Sequence, residues 1–150
     1  MNKSPARIRL MKPEDLDAVA RIDEKILKSS RREYYVEKFG KIVESSDSLP
    51  ISLVAEEEDG TLVGFVMGEL YMGEYGIFQE EATIDTIGVD PECQQVGIGR
   101  QLINEFVDHV KRIGVGKIST LVSLDDKNLT RFFNANQFTP SRSINLERKI

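Results

Sequence analysis

The stretch 82–114 constrains the fold more than any other, because it joins a strand to a long helix through a loop that contains two glycines. Residues 82–89 alternate in polarity and are rich in β-branched side chains, which is typical of a strand, and Pro91 follows as a breaker. After Gly97 and Gly99, apolar residues return at helical spacing. One helix face is therefore predicted to be buried, and it carries Ile98, Leu102, Ile103, Phe106, Val107 and Val110.

The loop before this helix is predicted to bind an anion. The N–H groups of a first helical turn lack intrahelical partners, and the helix dipole favours negative charge at that end. Glycine at 97 and 99 would let phosphate oxygens approach the bare backbone. Two better-known phosphate motifs are excluded, since a dinucleotide fingerprint needs glycine in place of Leu102 and a P-loop needs Gly-Lys-Ser/Thr in place of Gly99-Arg100-Gln101. An ordinary tight turn between strand and helix is the alternative.

Composition limits the function classes. The 150 residues suit a single domain spanning 1–150, and 40% hydrophobic with 30% charged residues is typical of a soluble globular protein. No apolar run is long enough to span a bilayer and the N-terminus lacks a signal-peptide core, so we expect no membrane partner and a cytoplasmic location. One cysteine and one histidine make a disulfide or a protein-built metal site improbable. The net charge of −5 argues against nucleic acid and favours a cationic substrate.

Periodicity elsewhere predicts alternating strands and helices. Strands are expected at 7–10, 51–55, 61–71, 82–89, 117–124 and 138–146, and helices from about 14, at 33–43, from 98 to a stop at Gly114, and at 129–134. This order implies an α/β sandwich with a mixed sheet, in which antiparallel hairpins precede a parallel crossover.

Three features together resemble one family. The loop reads Gln94-x-x-Gly97-x-Gly99, the element order is β-α-α-β-β-β-α-β-α-β, and Asn128 is followed by Phe132-Phe133 and Phe138. In this combination the chain resembles the GNAT (GCN5-related N-acetyltransferase) superfamily over essentially its whole length. It departs from the family pattern at Phe133, where tyrosine is common, and at Gln137, where glycine is common.

The resemblance implies a cofactor site and a reaction. It implies a centrally splayed sheet, acetyl-coenzyme A (acetyl-CoA) as co-substrate, and direct attack by a primary amine in a ternary complex. Backbone groups of the central strand would pair with the pantetheine arm, and the loop would hold the pyrophosphate. The segment from Asn128 to Phe138, here called the closing segment, would complete the site. The implied cofactor-binding residues are Ile87, Gly88, Val89, Gln94, Gln95, Val96, Gly97, Ile98, Gly99, Arg100, Asn128 and Phe133.

Asp85 is the predicted proton acceptor for the amine, and Glu81 is the second candidate, because a protonated amine must lose a proton before it attacks. Strand alternation would place Asp85 on one face with Thr83, Ile87 and Val89. A structural role for Asp85 stays open. Phe133 cannot donate a proton to the departing thiolate, so water or another group must do so, and the candidate hydroxyls are those of Tyr34, Tyr35, Tyr71 and Tyr75.

The sequence leaves two other function classes open. One is a catalytically weak coenzyme A-binding module with a regulatory or scaffold role, and the other is a nucleotide-binding regulatory domain. The acceptor, a small molecule or a peptide amine, should be selected by the joint at 28–34 and the loop at 72–81. A homodimer is compatible with the sequence.

Overall fold

A computed structural model describes residues 6–46, 49–72, 80–94 and 96–150. A single 3₁₀ turn at Pro13–Asp15 precedes α1, and another at Pro91–Cys93 follows β4. The elements are β1 (Arg7–Leu10), α1 (Leu16–Leu27), α2 (Arg32–Ile42), β2 (Leu53–Glu56), β3 (Leu62–Met72), β4 (Glu80–Val89), α3 (Ile98–Ile113), β5 (Lys117–Thr120) and α4 (Lys127–Ala135). Among the helices of the described ranges, none is both long and apolar enough to cross a membrane.

The five strands form one sheet in the order β1-β2-β3-β4-β5. Neighbours are antiparallel except β4 and β5, which are parallel because α3 provides the crossover. Helices cover both faces, and the α/β sandwich with a mixed sheet is confirmed. The α1 and α2 side buries Tyr35, Phe39 and Phe65, and the α3 side buries Leu102 and Phe106.

α3 lies close to β3, and Gly68 makes this approach possible. A Cβ at that position would lie 2.4 Å from the carbonyl oxygen of Thr83 and 2.8 Å from Cζ of Phe106. Gly68 therefore marks a close approach of backbone and helix, and it also adjoins a register shift between Met67 and Gly68 in the pairing with β4. At the other end, Gly114 ends α3 with φ of 104°, and its N–H bonds the Lys111 carbonyl at 3.0 Å.

β4 and β5 separate halfway along β4. Residues Glu81–Ile84 pair with Lys117–Thr120, and the Thr120 hydroxyl donates to the Ile84 carbonyl at 2.9 Å where the pairing ends. Beyond this point, residues 86–89 pair with β3 on one side only, as far as the described residues extend. The sheet is thus splayed at its centre, as the resemblance implied, and one edge of β4 keeps unpaired backbone groups.

Two strand predictions were wrong. β5 ends at Thr120 and not at residue 124, because β4 turns away from it. The strand expected at 138–146 is absent: residues 139–150 contain no strand and are exposed. Their alternating pattern is real, but they meet no sheet edge in their own chain. α2 also begins at Arg32, so the joint between α1 and α2 is shorter than 28–34.

Candidate active site

Asp90 fixes the chain where it leaves β4. Its carboxylate accepts hydrogen bonds from Lys25 Nζ at 2.8 Å and from the Glu92 N–H at 3.0 Å, while its own N–H donates to the Val63 carbonyl. Burial opposes ionisation of Asp90, but the bonds from Lys25 and Glu92 outweigh burial, and the pKa of the carboxyl is lowered. The loop therefore starts from a rigid, ionised anchor.

The N-terminus of α3 is open for an anion. Gly97 is the N-cap residue, in the left-handed region with φ of 85°, and no side chain in the described ranges caps it. The Gln101 N–H makes an early intrahelical bond, to the Gly97 carbonyl at 3.0 Å, which leaves the N–H groups just before it without helical partners. A Cβ at Gly97 would meet no described residue within 4 Å, so this side of the turn is open as far as the described residues extend.

The two loop glycines differ, which the sequence did not indicate. A Cβ at Gly99 would lie 3.0 Å from Cε2 of Phe132 and 3.7 Å from Cγ2 of Val89. The bare side of Gly99 thus faces Phe132 and lets α3 pack against α4, and a role of Gly99 in phosphate binding stays a prediction. Only its backbone N–H is left for that role.

The other predicted loop residues have separate surroundings. The Gln94 side chain donates to the Val89 carbonyl at 3.2 Å and so joins the loop to the end of β4. Val96 and Arg100 are exposed, whereas Ile98 is buried in the core. Gln95 lies outside the described residues. Roles in cofactor binding for these residues stay predictions.

A β-bulge at Asp85 reverses the alternation of β4. Met67 pairs with Thr86 and Gly68 pairs with Ile84, which leaves Asp85 as an extra residue. Ile84 and Ile87 consequently both pack on the α3 side, while the side chains of Asp85 and Thr86 both reach α2. Asp85 therefore does not share a face with Ile87 and Val89, and that prediction was wrong because alternation assumed a regular strand.

Asp85 belongs to a charged group on the α2 side, here called the Lys38 cluster: Lys38, Glu69 and Asp85. Lys38 Nζ lies 2.9 Å from Asp85 Oδ2 and 3.0 Å from Glu69 Oε1. The Lys38 and Asp85 side chains keep 21% and 22% exposure, so the cluster lines the surface without being buried in the core. Desolvation opposes the charge of Lys38, but the bonds to Asp85 and Glu69 prevail and raise its pKa. The cluster carries one ammonium against two carboxylates.

Tyr34 reaches the same part of β4. Its hydroxyl lies 3.3 Å from Thr86 Oγ1, and the Arg31 guanidinium stacks 4.9 Å above its ring. By contrast, the Tyr35 hydroxyl is buried and donates to Asp23 at 2.7 Å, and burial raises its pKa far above the ordinary range. Of the tyrosines named from the sequence, Tyr34 is the one that the described side chains bring to β4.

Lys38 and Glu69 were missed by sequence reasoning. Tyr34 and Lys38 are four residues apart on α2 and so share a helix face, which was a usable signal that both contact the same strand. Nothing local marks Glu69, because its pairing with Lys38 depends on how α2 crosses β3. Glu81, the second predicted base, instead lies 3.5 Å from Lys117 on β5.

The closing segment lies partly in the core. Phe133 is 4% exposed, with its ring centroid 5.4 Å from Phe132 and 5.0 Å from Phe138. Asn128 is exposed on the first turn of α4 beside a shallow depression of about 480 Å³. Gln137, where the family commonly has glycine, is in the left-handed region with φ of 72°. Contacts of Asn128 and Phe133 with a cofactor stay predictions.

Comparisons with known proteins agree with this geometry. Residues 16–138 match the family described as "Acetyltransferase (GNAT) family". A mycothiol acetyltransferase of Propionibacterium freudenreichii subsp. shermanii is 30% identical over 87 residues, which cover 58% of this chain and 27% of the relative. The chain thus spans about a quarter of that relative's length.

Two solved structures share the fold. The aminoglycoside N-acetyltransferase AAC(6′)-Iy in complex with CoA has a TM-score of 0.81 at 17% identity, covering 99% of this chain and 97% of that one. A transcriptional regulator from Bacillus halodurans C-125 has a TM-score of 0.78 at 19% identity, covering 97% and 99%. At these identities, the likeness shows the fold alone.

Proposed function

This chain belongs to the acetyltransferase (GNAT) family, whose members use acetyl-CoA as co-substrate, and we propose that it transfers the acetyl group to a primary amine by direct attack in a ternary complex. The observation that carries the proposal is the combination of an unpaired β4 edge with an uncapped α3 N-terminus beside its end, where Cγ2 of Val89 lies 3.7 Å from the place of a Cβ on Gly99. Acetyl-CoA supplies an activated thioester, and the chain's own residues bind it, orient the amine and move the protons.

The cofactor side is built from backbone. The free edge of β4, between Thr86 and Val89, offers backbone groups to an amide-containing arm in the way that an added strand would use them, although the Val89 carbonyl already accepts a bond from Gln94 that the arm would have to share or replace. Gly97, Ile98, Gly99 and Arg100 offer N–H groups to a pyrophosphate at the positive end of the α3 dipole. Among the described residues, nothing lies within 4 Å of a Cβ placed on Gly97, which leaves room for an anion beside this turn.

The acceptor side is built from side chains on the face of the sheet that carries α2, opposite to the face on which α3 packs. The Lys38 cluster has an excess of one negative charge, which favours a cationic acceptor. Because Lys38 is itself an alkylammonium bound by two carboxylates, the same carboxylates can bind the ammonium of a substrate. We therefore place the incoming amine beside Asp85, at the point where β4 leaves β5.

Asp85 is the group proposed to take the amine proton, directly or through water. The bulge turns its side chain out of the core and into contact with α2, where 22% of it meets solvent. Lys38 Nζ, 2.9 Å from Oδ2, holds the carboxylate in this orientation. Glu81 is the weaker candidate, because it lies where β4 is still paired with β5, away from the point where the two strands separate.

Tyr34 is the group proposed to protonate the departing thiolate. The position expected for a tyrosine acid holds Phe133, which is in the core and has no acidic proton. The Tyr34 hydroxyl lies against Thr86, one residue after Asp85 and beside the unpaired edge of β4. Tyr34 as proton donor and Asp85 as proton acceptor would serve the two proton transfers of the reaction, to the departing thiolate and from the attacking amine.

The alternative is a coenzyme A-binding regulatory module with little turnover. Phe133 in place of tyrosine and the existing partner of Asp85 favour it. Acetyl-CoA-dependent thiol release against a panel of mono-, di- and polyamines, amino acids and aminoglycosides separates the two. We expect saturable thiol release with at least one cationic amine. If acetyl-CoA binds but no amine of the panel stimulates thiol release, the regulatory module is favoured.

A further inference from the structure

A buried carboxylate joins α1 to the start of α2. Asp23 on α1 is 4% exposed, and its two oxygens accept hydrogen bonds from Arg31 Nε at 3.0 Å and from Arg31 Nη2 at 2.7 Å. The Tyr35 hydroxyl also donates to Asp23, at 2.7 Å. A carboxylate this deeply buried has to be paired, because loss of its partner leaves an uncompensated charge in the core. The planar fork of Arg31 is therefore held in one orientation.

The Arg31 guanidinium in turn supports the ring of Tyr34. Its carbon lies 4.9 Å from the centroid of the Tyr34 ring and 5.7 Å from that of the Tyr35 ring, so it forms a cation–π contact with the first and reaches the second. The two tyrosine rings also meet edge to face, with 5.0 Å between their centroids. The Tyr34 ring thus rests on Arg31 and Tyr35, and both of these bond to Asp23.

The bond made by the Tyr34 hydroxyl is too long to fix the ring by itself. The hydroxyl oxygen lies 3.3 Å from Thr86 Oγ1, whereas a strong bond between two hydroxyl groups spans about 2.7–2.8 Å. A tyrosine side chain turns about two bonds, so a small rotation of an unsupported ring would carry its hydroxyl away from β4. The contacts with Arg31 and Tyr35 therefore do most to keep the Tyr34 hydroxyl beside the unpaired edge of β4.

We propose that Asp23 and Arg31 are positioning residues for acetyl transfer. Their ion pair fixes the guanidinium as a platform for the Tyr34 ring and so keeps the Tyr34 hydroxyl where it can protonate the departing thiolate. This inference rests on the proposed function, in which Tyr34 is that proton donor. Position matters here because proton transfer requires hydrogen-bond reach, and a misplacement of about 1 Å can cost on the order of 100-fold in rate. Asp23 and Arg31 act through Tyr34 and need no contact with either substrate.

Arg32 offers a matched comparison. It also joins α2 to α1, through an ion pair with Asp17, but the two side chains are 53% and 81% exposed. A surface pair of this kind contributes little to stability or to orientation. Arg31→Lys and Arg32→Lys make the same chemical change at neighbouring positions: each keeps the charge and loses the planar fork. Only the first removes the platform under Tyr34.

A double-mutant cycle with Tyr34→Phe tests the proposal. The assay is acetyl-CoA-dependent thiol release with the cationic amine that the wild type uses best. We expect Arg31→Lys to lower kcat by about 3- to 10-fold, and by no more than Tyr34→Phe does, with the KM for acetyl-CoA unchanged. Added to Tyr34→Phe, Arg31→Lys should cause no further loss of kcat, because the hydroxyl that Arg31 positions is already absent. Arg32→Lys should keep the kcat of its parent in both backgrounds.

Thermal unfolding of the same variants separates positioning from a purely structural role. Arg31→Lys should unfold at a lower temperature with or without the Tyr34 hydroxyl, because the bonds to Asp23 change equally in both backgrounds. Its effect on kcat, by contrast, should depend on that hydroxyl. If Arg31→Lys does not fold, Tyr35→Phe takes its place, since it removes one donor from Asp23 and keeps both rings. A loss of kcat is then expected again, and only where the Tyr34 hydroxyl is present.

Failure of this inference differs from failure of the proposed function. If Tyr34→Phe lowers kcat but Arg31→Lys leaves it unchanged, or lowers it equally in both backgrounds, Arg31 does not act through Tyr34 and the inference is overturned alone. The same holds if Arg32→Lys lowers kcat as much as Arg31→Lys does. If the wild type shows no amine-dependent thiol release, or if Tyr34→Phe keeps the kcat of the wild type, the proposed function itself is wrong at that step and the inference falls with it.

Discussion

The loop at 90–100 and the Lys38 cluster are built in different ways. The loop is one continuous segment whose proposed ligand groups are backbone N–H groups, held by Asp90 and by the start of α3. The cluster takes one side chain each from α2, β3 and β4, and it depends on a bulge to turn Asp85 toward Lys38. A backbone site tolerates changes of most side chains in it, whereas a side-chain site does not. Conservative substitutions should therefore affect the acceptor side most.

The largest effect is expected for Asp85→Asn. The amide keeps the shape of the site but cannot take a proton, so kcat/KM for the amine should fall by about 100-fold or more at neutral pH. The loss should shrink as the pH approaches the pKa of the acceptor, which then arrives deprotonated. Steady-state kinetics across pH measures this, with coenzyme A affinity unchanged.

Glu69→Gln is the matched control, since it removes the other carboxylate from Lys38 and leaves β4 intact. We expect it to raise the acceptor KM with a smaller change in kcat. If Asp85→Asn keeps full activity at every pH, Asp85 is not the base. If it unfolds the chain, the structural interpretation of Asp85 was correct.

Asp90→Asn tests how much the Asp90 carboxylate, which fixes the start of the loop, contributes to stability. Because the pKa of Asp90 is lowered in the folded chain, its carboxylate stabilises the fold at any pH above the ordinary aspartate pKa of 3.8. This stabilisation is lost as the pH falls through the lower pKa of the folded state. Asparagine should cost about 1–2 kcal/mol in the free energy of unfolding at neutral pH. Chemical denaturation should show the two proteins converging in acid; a constant difference down to pH 2 would contradict the ion-pair explanation.

Tyr34→Phe removes only a hydroxyl and keeps the ring under Arg31. If Tyr34 protonates the thiolate and this step limits the rate, kcat should fall by about 10-fold, with the KM for acetyl-CoA unchanged. This is less than the roughly 100-fold usual for loss of a general acid, because the thiolate of coenzyme A can also leave unprotonated. Phe133→Tyr is the partner variant and should not raise kcat, because its ring is 4% exposed in the core. Unchanged kcat in Tyr34→Phe together with a gain in Phe133→Tyr would reverse the assignment.

The smallest effect is expected for Gln137→Gly, outside both regions. Gln137 has φ of 72°, which costs an ordinary residue roughly 1–2 kcal/mol, while glycine gives back about 0.5–1 kcal/mol through the flexibility of the unfolded chain. The variant should gain up to about 1 kcal/mol in thermal unfolding without any change in activity. A loss of stability would mean that the Gln137 side chain contributes contacts that outweigh the strain.

Sequence reasoning recovered what depends on local chemistry. The alternation of β4, Pro91, the glycines and the apolar face of α3 are each encoded within a few residues, and they were sufficient for the layers, the crossover and the family. It failed where distant segments decide. The bulge at Asp85 lies in the pairing of β4 with β3, next to Gly68, which Phe106 of α3 closely approaches. No pattern within β4 itself indicates this bulge.

The same limit explains the other misses. Lys38 and Glu69 are 31 residues apart and meet only through packing. The alternation at 138–146 predicted a strand, but these residues meet no sheet edge in the described part of the chain, and a local pattern cannot supply one. Gly97 and Gly99 look equivalent in sequence, and only the position of Phe132 distinguishes them.

The most direct test of the account is coenzyme A binding to Gly97→Leu beside Gly60→Leu. Both glycines have left-handed backbones, with φ of 85° and 87°, and an added Cβ would meet no described residue within 4 Å of either, so the two variants place a side chain in the same unfavourable φ region. With coenzyme A at 100 times its dissociation constant, wild type and Gly60→Leu should each gain about 2.7 kcal/mol in thermal unfolding. Gly97→Leu should gain almost nothing, because its side chain fills the space before the α3 N–H groups. Equal stabilisation of both variants would contradict the proposed cofactor site.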